Sequence, residues 1–205
     1  PGDPVPPTSR PYPRTWVLGA LVFGVALFVR VVYLLDIRDN PFFTSPVIDA
    51  DFYHHLAQAL ATTGLGRAPF QMPPGYPLLL SLVYRAFGVS FLAAHILQIL
   101  LGAATAALTY ALGRRVAARE RRPAEAVGLV AAGFVATSKA SLFVEGDLLA
   151  TPAAVTLAVA ALLFLVRWLQ DGMRRRDLLL SGVAFGLSGL VVPLGPALAA
   201  ELPEP

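Results

Sequence analysis

Cysteine is absent from the 205 residues, and lysine occurs once, at Lys139. The first absence excludes a disulfide framework, a thiolate nucleophile and a cysteine-ligated zinc. Charge is also scarce. Charged residues make up 14% of the chain, against about 25% in an ordinary soluble domain. Hydrophobic residues make up 56%, and the mean hydropathy is +0.65. This balance points to a membrane protein before any segment is inspected. Several signatures are missing too: there is no P-loop, no nucleophile elbow and no HExxH helix. Nucleotide hydrolysis, serine hydrolysis and zincin chemistry are therefore disfavoured. Neither heptads nor longer internal repeats are visible.

What the chain does have is long apolar runs. Residues 16–35 form one, broken only by Arg30. A run of this length, at about 1.5 Å per residue, covers the roughly 30 Å hydrocarbon core of a bilayer. It exceeds the apolar part of a signal peptide, and LLDIRDNPFF follows it instead of a cleavage site. Further runs lie at 91–112, at 124–144 (interrupted by Lys139), at 148–166, and at 178–199 (weakened by Pro193 and Pro196). The expected fold is an all-α polytopic membrane protein with about five transmembrane helices. The body runs from 16 to 199. It is flanked by a proline-rich, disordered cytoplasmic tail at 1–15 and a short tail at 200–205.

The loop at 36–90 is the one long interval rich in polar groups, and the rest of the chain is arranged around it. Within it, 49–62 reads as an amphipathic helix. Ile48, Phe52, Leu56 and Leu60 make an apolar stripe at i, i+4, and Asp51, His54, His55 and Gln58 fall opposite. Gly64 and Gly66 end it. Residues 76–87 are too short to span and fit an interfacial or re-entrant helix closed by Gly88.

Arginines fix the expected orientation. With 76–87 not spanning, the inner segments hold eleven basic residues and the outer ones three: Arg38, Arg67 and Arg85. That is a positive-inside pattern. It places the loop at 36–90 and the EGD turn at 145–147 together on the outer, periplasmic face of an inner membrane. The arginine clusters flank membrane helices without interleaved aromatics. They read as contacts to anionic lipid, not to nucleic acid.

Within the loop, Asp49 opens the helix. One reading makes it an N-cap at the positive end of the helix dipole. The other makes it a general base, because its face also carries Phe52, Tyr53 and Leu56 and so turns toward the membrane body. Asp51 and His55, four apart, are either an exposed ion pair or part of a metal site with His54; the pair is favoured. His95 sits near the outer end of the second run, where a bonded core residue is the commoner role. Glu145 and Asp147 offer a second carboxylate on the same face, or ordinary loop solvation. Gln71 and Tyr76, in the proline-stiffened QMPPGYP, are candidates to set a substrate's pose; the alternative is a rigid turn. Arg30 either snorkels to the interface or turns inward to an anion. No cofactor is implied, and nothing in the sequence supports a divalent metal.

The stretches SPVIDADFYHHLAQAL, FQMPPGYPLLLSLVYRAFG, ILQILLGAATAALTYALGRRV and FVEGDLLATPAAVTLAVAALLFL, in that order, resemble the bacterial dolichyl-phosphate-mannose protein mannosyltransferase-like enzymes of the glycosyltransferase-C fold. The resemblance runs from about residue 30 to about 190. It implies a polyprenyl-phosphate-linked sugar as donor and transfer to a hydroxyl of an acceptor protein or lipid at the periplasmic face. It implies that Asp49 is catalytic and that Glu145, with Asp147 beside it, is the acidic residue of the second outer loop. Arg30 matches a frequent arginine that would stabilise the leaving phosphate. Asp51, Tyr53, His55, Gln71 and Tyr76 are the remaining expected substrate contacts. The chain departs from the family in carrying Val192 and Pro193 where arginine and proline are usual. It also shows about five membrane helices where members have roughly twice that number. A non-catalytic membrane fragment and a transporter or lipid flippase are the rival readings.

Overall fold

The computed structural model describes residues 13–64 and 72–192. Arg67, Gln71, Pro193, Pro196 and both expected tails beyond those limits lie outside the described residues. Eight α-helices and one 3-10 turn appear among the described residues, with no strand. They are α1 (Pro13–Ile37), the 3-10 turn (Pro41–Phe43), α2 (Asp49–Thr63), α3 (Gly75–Phe87), α4 (Phe91–Arg119), α5 (Ala124–Thr137), α6 (Lys139–Glu145), α7 (Thr151–Gln170) and α8 (Arg175–Val191).

Three of these, α1, α4 and α7, are long and apolar enough to cross a membrane; α5 and α6 together reach that length and apolarity but are bent by 51° at the break, as a broken span or a re-entrant loop is. The all-α membrane architecture expected from composition is thus present. The fifth expected run, 178–199, is described only as far as α8 extends. Helix α1 starts at Pro13, ahead of the hydropathic boundary at residue 16. Proline is tolerated there because the first helical N–H groups have no intrahelical partner to lose. The α5–α6 break falls at Ser138, whose extended backbone starts a new helix and whose hydroxyl accepts from Ser141 N–H at 3.3 Å. The single run expected at 124–144 is therefore two helices.

Helix α4 is the hub and packs against α1, α5 and α7. Its contact face is built from small residues. Ala103 and Ala106 are fully buried and meet Ala26 of α1 and Ala136 of α5. Small side chains let helix backbones approach closely in lipid, where dispersion and not water expulsion drives helix association. Gly102 carries this furthest. A Cβ built there would lie 2.3 Å from Arg30 Nε and from Glu145 Oε1. Gly102→Ala should therefore cost about 1–3 kcal/mol by overpacking. The expected result is earlier thermal aggregation on detergent size-exclusion chromatography. Gly133→Ala, where a Cβ meets nothing within 4 Å, should leave the profile unchanged.

Helices α2 and α3 pack as a pair over the start of α4 and the 148–154 segment. Arg85 of α3 closes the end of α2, donating from Nη2 to Leu60 O at 2.7 Å and from Nε to Ala61 O at 3.3 Å. Gly64 (φ +75) and Gly88 (φ +76) terminate the two helices as their positions imply. The buried face of α2 differs from the expected stripe. It is Ala50, Tyr53, His54, Ala57 and Leu60, while Ile48 is 85% exposed. His54, expected on the solvated face, points inward because Tyr84 and Phe91 offer it a hydroxyl and a ring to stack on.

The two ends of the bundle differ in kind. One holds α2, α3, the N-terminus of α4 and the 145–150 turn. The other is tied by arginine pairs: Arg114 to Glu125 at 2.9 Å, Arg115 to Asp171 at 3.1 Å and Arg167 to Asp177 at 3.5 Å.

Candidate functional site

The sequence candidates gather at the α2–α3 end. They divide there into a buried pair and a surface cluster.

Arg30 and Glu145 form the buried pair. Arg30 is fully buried, about 10 Å along α1 from its C-terminus at the standard helical rise. It does not snorkel. Its Nη2 donates to Glu145 Oε1 at 2.8 Å, and Nε lies 2.6 Å from Oε2, out of line for a hydrogen bond. Nη1 donates to Ala26 O at 3.2 Å and to Ala136 O at 3.5 Å. The guanidinium thus binds α1, the end of α5 and the end of α6 into one unit. The anion it turns toward is the chain's own carboxylate.

The surface cluster surrounds a cavity of about 310 Å³. Tyr33 and Ile37 of α1, Asn40, Phe43 and Val47 of the loop, and Asp147 line it. Asp147 is half-buried, and its Oδ1 accepts from Leu148 N–H at 2.9 Å. The turn that carries it is pinned from α4. Gln98, fully buried, shares its amide N–H groups among Asp147 O at 3.0 Å, Leu149 O at 2.9 Å and the Tyr76 hydroxyl at 2.9 Å. His95 places Nε2 3.2 Å from Gly146 O and stacks on Phe43 at 4.2 Å. Glycine at 146 lets α1 approach closely, because an added Cβ would meet the Tyr33 ring at 2.8 Å and force that side chain to shift.

Asp49 begins α2, two residues beyond the lining residue Val47, and is exposed. It is not the N-cap. That position is Ile48, whose φ of 55° with ψ of −118° is a strained backbone for a β-branched residue. Strain of this kind costs about 1–3 kcal/mol and clusters at functional sites. Burial, with the Asp49 carboxylate nearby, raises the Tyr53 hydroxyl above its ordinary 10.0. Tyr53 meets Tyr76 edge-on at 5.2 Å. Burial raises Tyr76 well above 10.0, and Tyr84, Asp147 and Tyr53 add to the shift. Two neutral tyrosines therefore connect the neighbourhood of Asp49 with that of Asp147.

Asp51 and His55 form an exposed pair at 3.3 Å, off this cluster. Among the described residues, no group of three or more His, Asp or Glu side chains is placed to hold a metal. Sequence reasoning missed Gln98, Asn40 and Tyr33. Gln98 had a readable signal, since a lone amide in an apolar run must find partners inside the bundle.

His54 gives this region a pH dependence. Its Nδ1 lies 2.8 Å from the Tyr84 hydroxyl. Burial pushes that hydroxyl up to about 12, so it donates and the imidazole accepts in its neutral form. Burial, then the neighbouring His55, hold His54 below its ordinary 6.5, and Asp51 partly offsets them. A lowered pKa adds stability above about 6.5 that is lost as pH falls through the folded value. The protection of α2 amides, taken relative to the intrinsic exchange rate at each pH, should therefore fall as pH drops from 7 toward 5. His54→Gln should flatten that dependence.

An apolar helical bundle with a cavity and two carboxylates at one end and an arginine-rich rim at the other belongs to the class of polytopic membrane proteins. Residues 71–194 match the family model of dolichyl-phosphate-mannose-protein mannosyltransferases, which covers more than half of the chain. The chain belongs to that family and is a membrane glycosyltransferase of the mannosyltransferase type. No curated protein and no solved structure matches it. The matched span takes in Tyr76, Gln98, Glu145 and Asp147; Asp49 precedes it.

Proposed function

We propose that the chain carries the acceptor-side machinery of an enzyme that moves a sugar from a polyprenyl-phosphate donor to a hydroxyl on a protein or lipid acceptor. In this reading the cavity end faces the periplasm and the arginine-rich end faces the cytoplasm. The uneven placement of arginine supports that orientation. The observation that carries the reading is the cavity between α1, the 36–48 loop and Asp147, lined as far as Val47, two residues before Asp49.

Asp49 is the general base. It removes the acceptor hydroxyl's proton as the oxygen attacks the anomeric carbon, and the polyprenyl phosphate leaves with the bonding electrons. Asp147 is the second carboxylate and orients the acceptor or the sugar hydroxyls. Tyr53 and Tyr76 stay protonated and supply hydroxyl donors between the two. Arg30 and Glu145 cancel one another's charge within the protein, so their part is to hold the cavity wall. Asp51, His55 and Gln71 remain candidates for the substrate's outer contacts.

The test is transfer by membranes containing the intact protein, supplied with a panel of polyprenyl-phosphate sugars and scored for glycosylated product. One sugar should be transferred and its soluble nucleotide form should not. Transfer from the nucleotide sugar alone would overturn the donor assignment. Cysteine labelling of positions 49 and 147 tests the orientation: both should react from outside the cell.

A further inference from the structure

A second cavity, larger than the one beside Asp147, lies at the opposite end from Asp49. It holds about 850 Å³ between α1, α4 and α7. Its walls are apolar and low, with Gly19 and Ala20 of α1 facing Ala104 and Ala107 of α4. Its lining runs along α1 from Thr15 to Phe23, about 12 Å at the standard rise. That suits the upper part of an acyl chain. Its mouth carries Arg114, Arg115, Arg167 and Arg174, with Asp171 the one carboxylate in the lining.

Two further features at the mouth call for an anion. Across 114–125 and 167–177 the chain carries nine arginines against four carboxylates, and all four are held by arginine. In addition, α8 starts on Arg174 with no side-chain cap, and Arg175 and Arg176 follow in its first turn; the one carboxylate of that turn, Asp177, is buried and already paired with Arg167. Arginines at the positive end of a helix raise its energy, and an anion seated there relieves both charges. Trp16, 74% exposed, stands in the lining at the mouth, a usual anchor at the water–hydrocarbon boundary.

We infer that this groove binds one anionic phospholipid, with its phosphate among the mouth arginines and an acyl chain in the Gly19–Ala107 trough. The site lies across the membrane body from the Asp49 cavity and does not depend on the sugar-transfer reading. Its occupant is a structural or regulatory lipid, distinct from any donor.

The experiment is native mass spectrometry of the intact purified protein in mild detergent, titrated with phosphatidylglycerol or phosphatidylcholine. Phosphatidylglycerol should be retained as a single bound copy, about tenfold more tightly than phosphatidylcholine. Arg174→Glu should lower that retention about tenfold. Ala107→Phe, which fills the trough, should abolish the bound copy. Arg122→Glu, the same charge change on an exposed arginine of the α4–α5 turn outside the groove, should leave it. Each variant is first matched to the parent by thermal melting. Equal retention of the two lipids would overturn the inference, as would equal loss in Arg122→Glu or a bound copy surviving in Ala107→Phe. Displacement by glycerol phosphate as effective as by phosphatidylglycerol would overturn the lipid assignment.

Discussion

Asp49→Asn in the intact protein is expected to lower sugar transfer by about 10²–10⁴-fold, the usual worth of a positioned general base. Expression and thermal stability should change little. Asp49 is exposed, and no hydrogen bond involves it among the described residues; its contribution to α2 is the favourable charge at a helix start, about 0.3–1 kcal/mol. Loss of rate without loss of fold separates chemistry from structure here. Asp147→Asn provides the comparison. Its amide oxygen can still accept from Leu148 N–H, so the turn should hold. A carboxylate that orients substrate should then show mainly as a raised KM. Full activity in Asp49→Asn, together with collapse of kcat in Asp147→Asn, would transfer the base role to Asp147.

The elements were legible where the signal was periodic or compositional. Charge scarcity gave the membrane class, and the i, i+4 spacing with Gly64 and Gly88 gave α2 and α3. The inward face of α2 was not legible. Large side chains mark a face in a hydropathy reading; Phe52 and Leu60 of the expected stripe do pack on the core, but Ile48 faces out and the centre of the buried face lies elsewhere. The helix instead buries Ala50 and Ala57, small enough for close approach, along with His54, whose polarity is answered by Tyr84. The break at Ser138 was hidden for a similar reason, since a serine cap inside an apolar run leaves hydropathy unchanged. The site was legible in its residue types but not in its partnerships. Gln98 and His95 act through main-chain carbonyls about fifty positions away, and backbone acceptors carry no sequence signature. Asp147 and Glu145, two residues apart, have opposite surroundings. One lines the cavity and the other is 4% exposed against Arg30. Only the direction of the chain as it leaves α6 distinguishes them.

That difference sets the second large effect. Glu145→Ala would strand a fully buried guanidinium with only main-chain oxygens of Ala26 and Ala136 as partners. Removing one member of a buried ion pair costs about 3–5 kcal/mol. The variant is expected to melt far below the parent in detergent and to accumulate poorly in membranes. Its inactivity alone would not reveal whether Glu145 acts on substrate. The double variant Arg30→Met with Glu145→Leu does. Replacing both charges with apolar groups of similar bulk is neutral or stabilising by about 1–4 kcal/mol in many buried pairs. The double variant should therefore recover the parent's melting behaviour. If the pair serves only to hold α1 against the end of α6, transfer should return to within about tenfold of the parent. A folded double variant without transfer would instead put Arg30 or Glu145 in contact with the reacting groups, as the resemblance to the family implies.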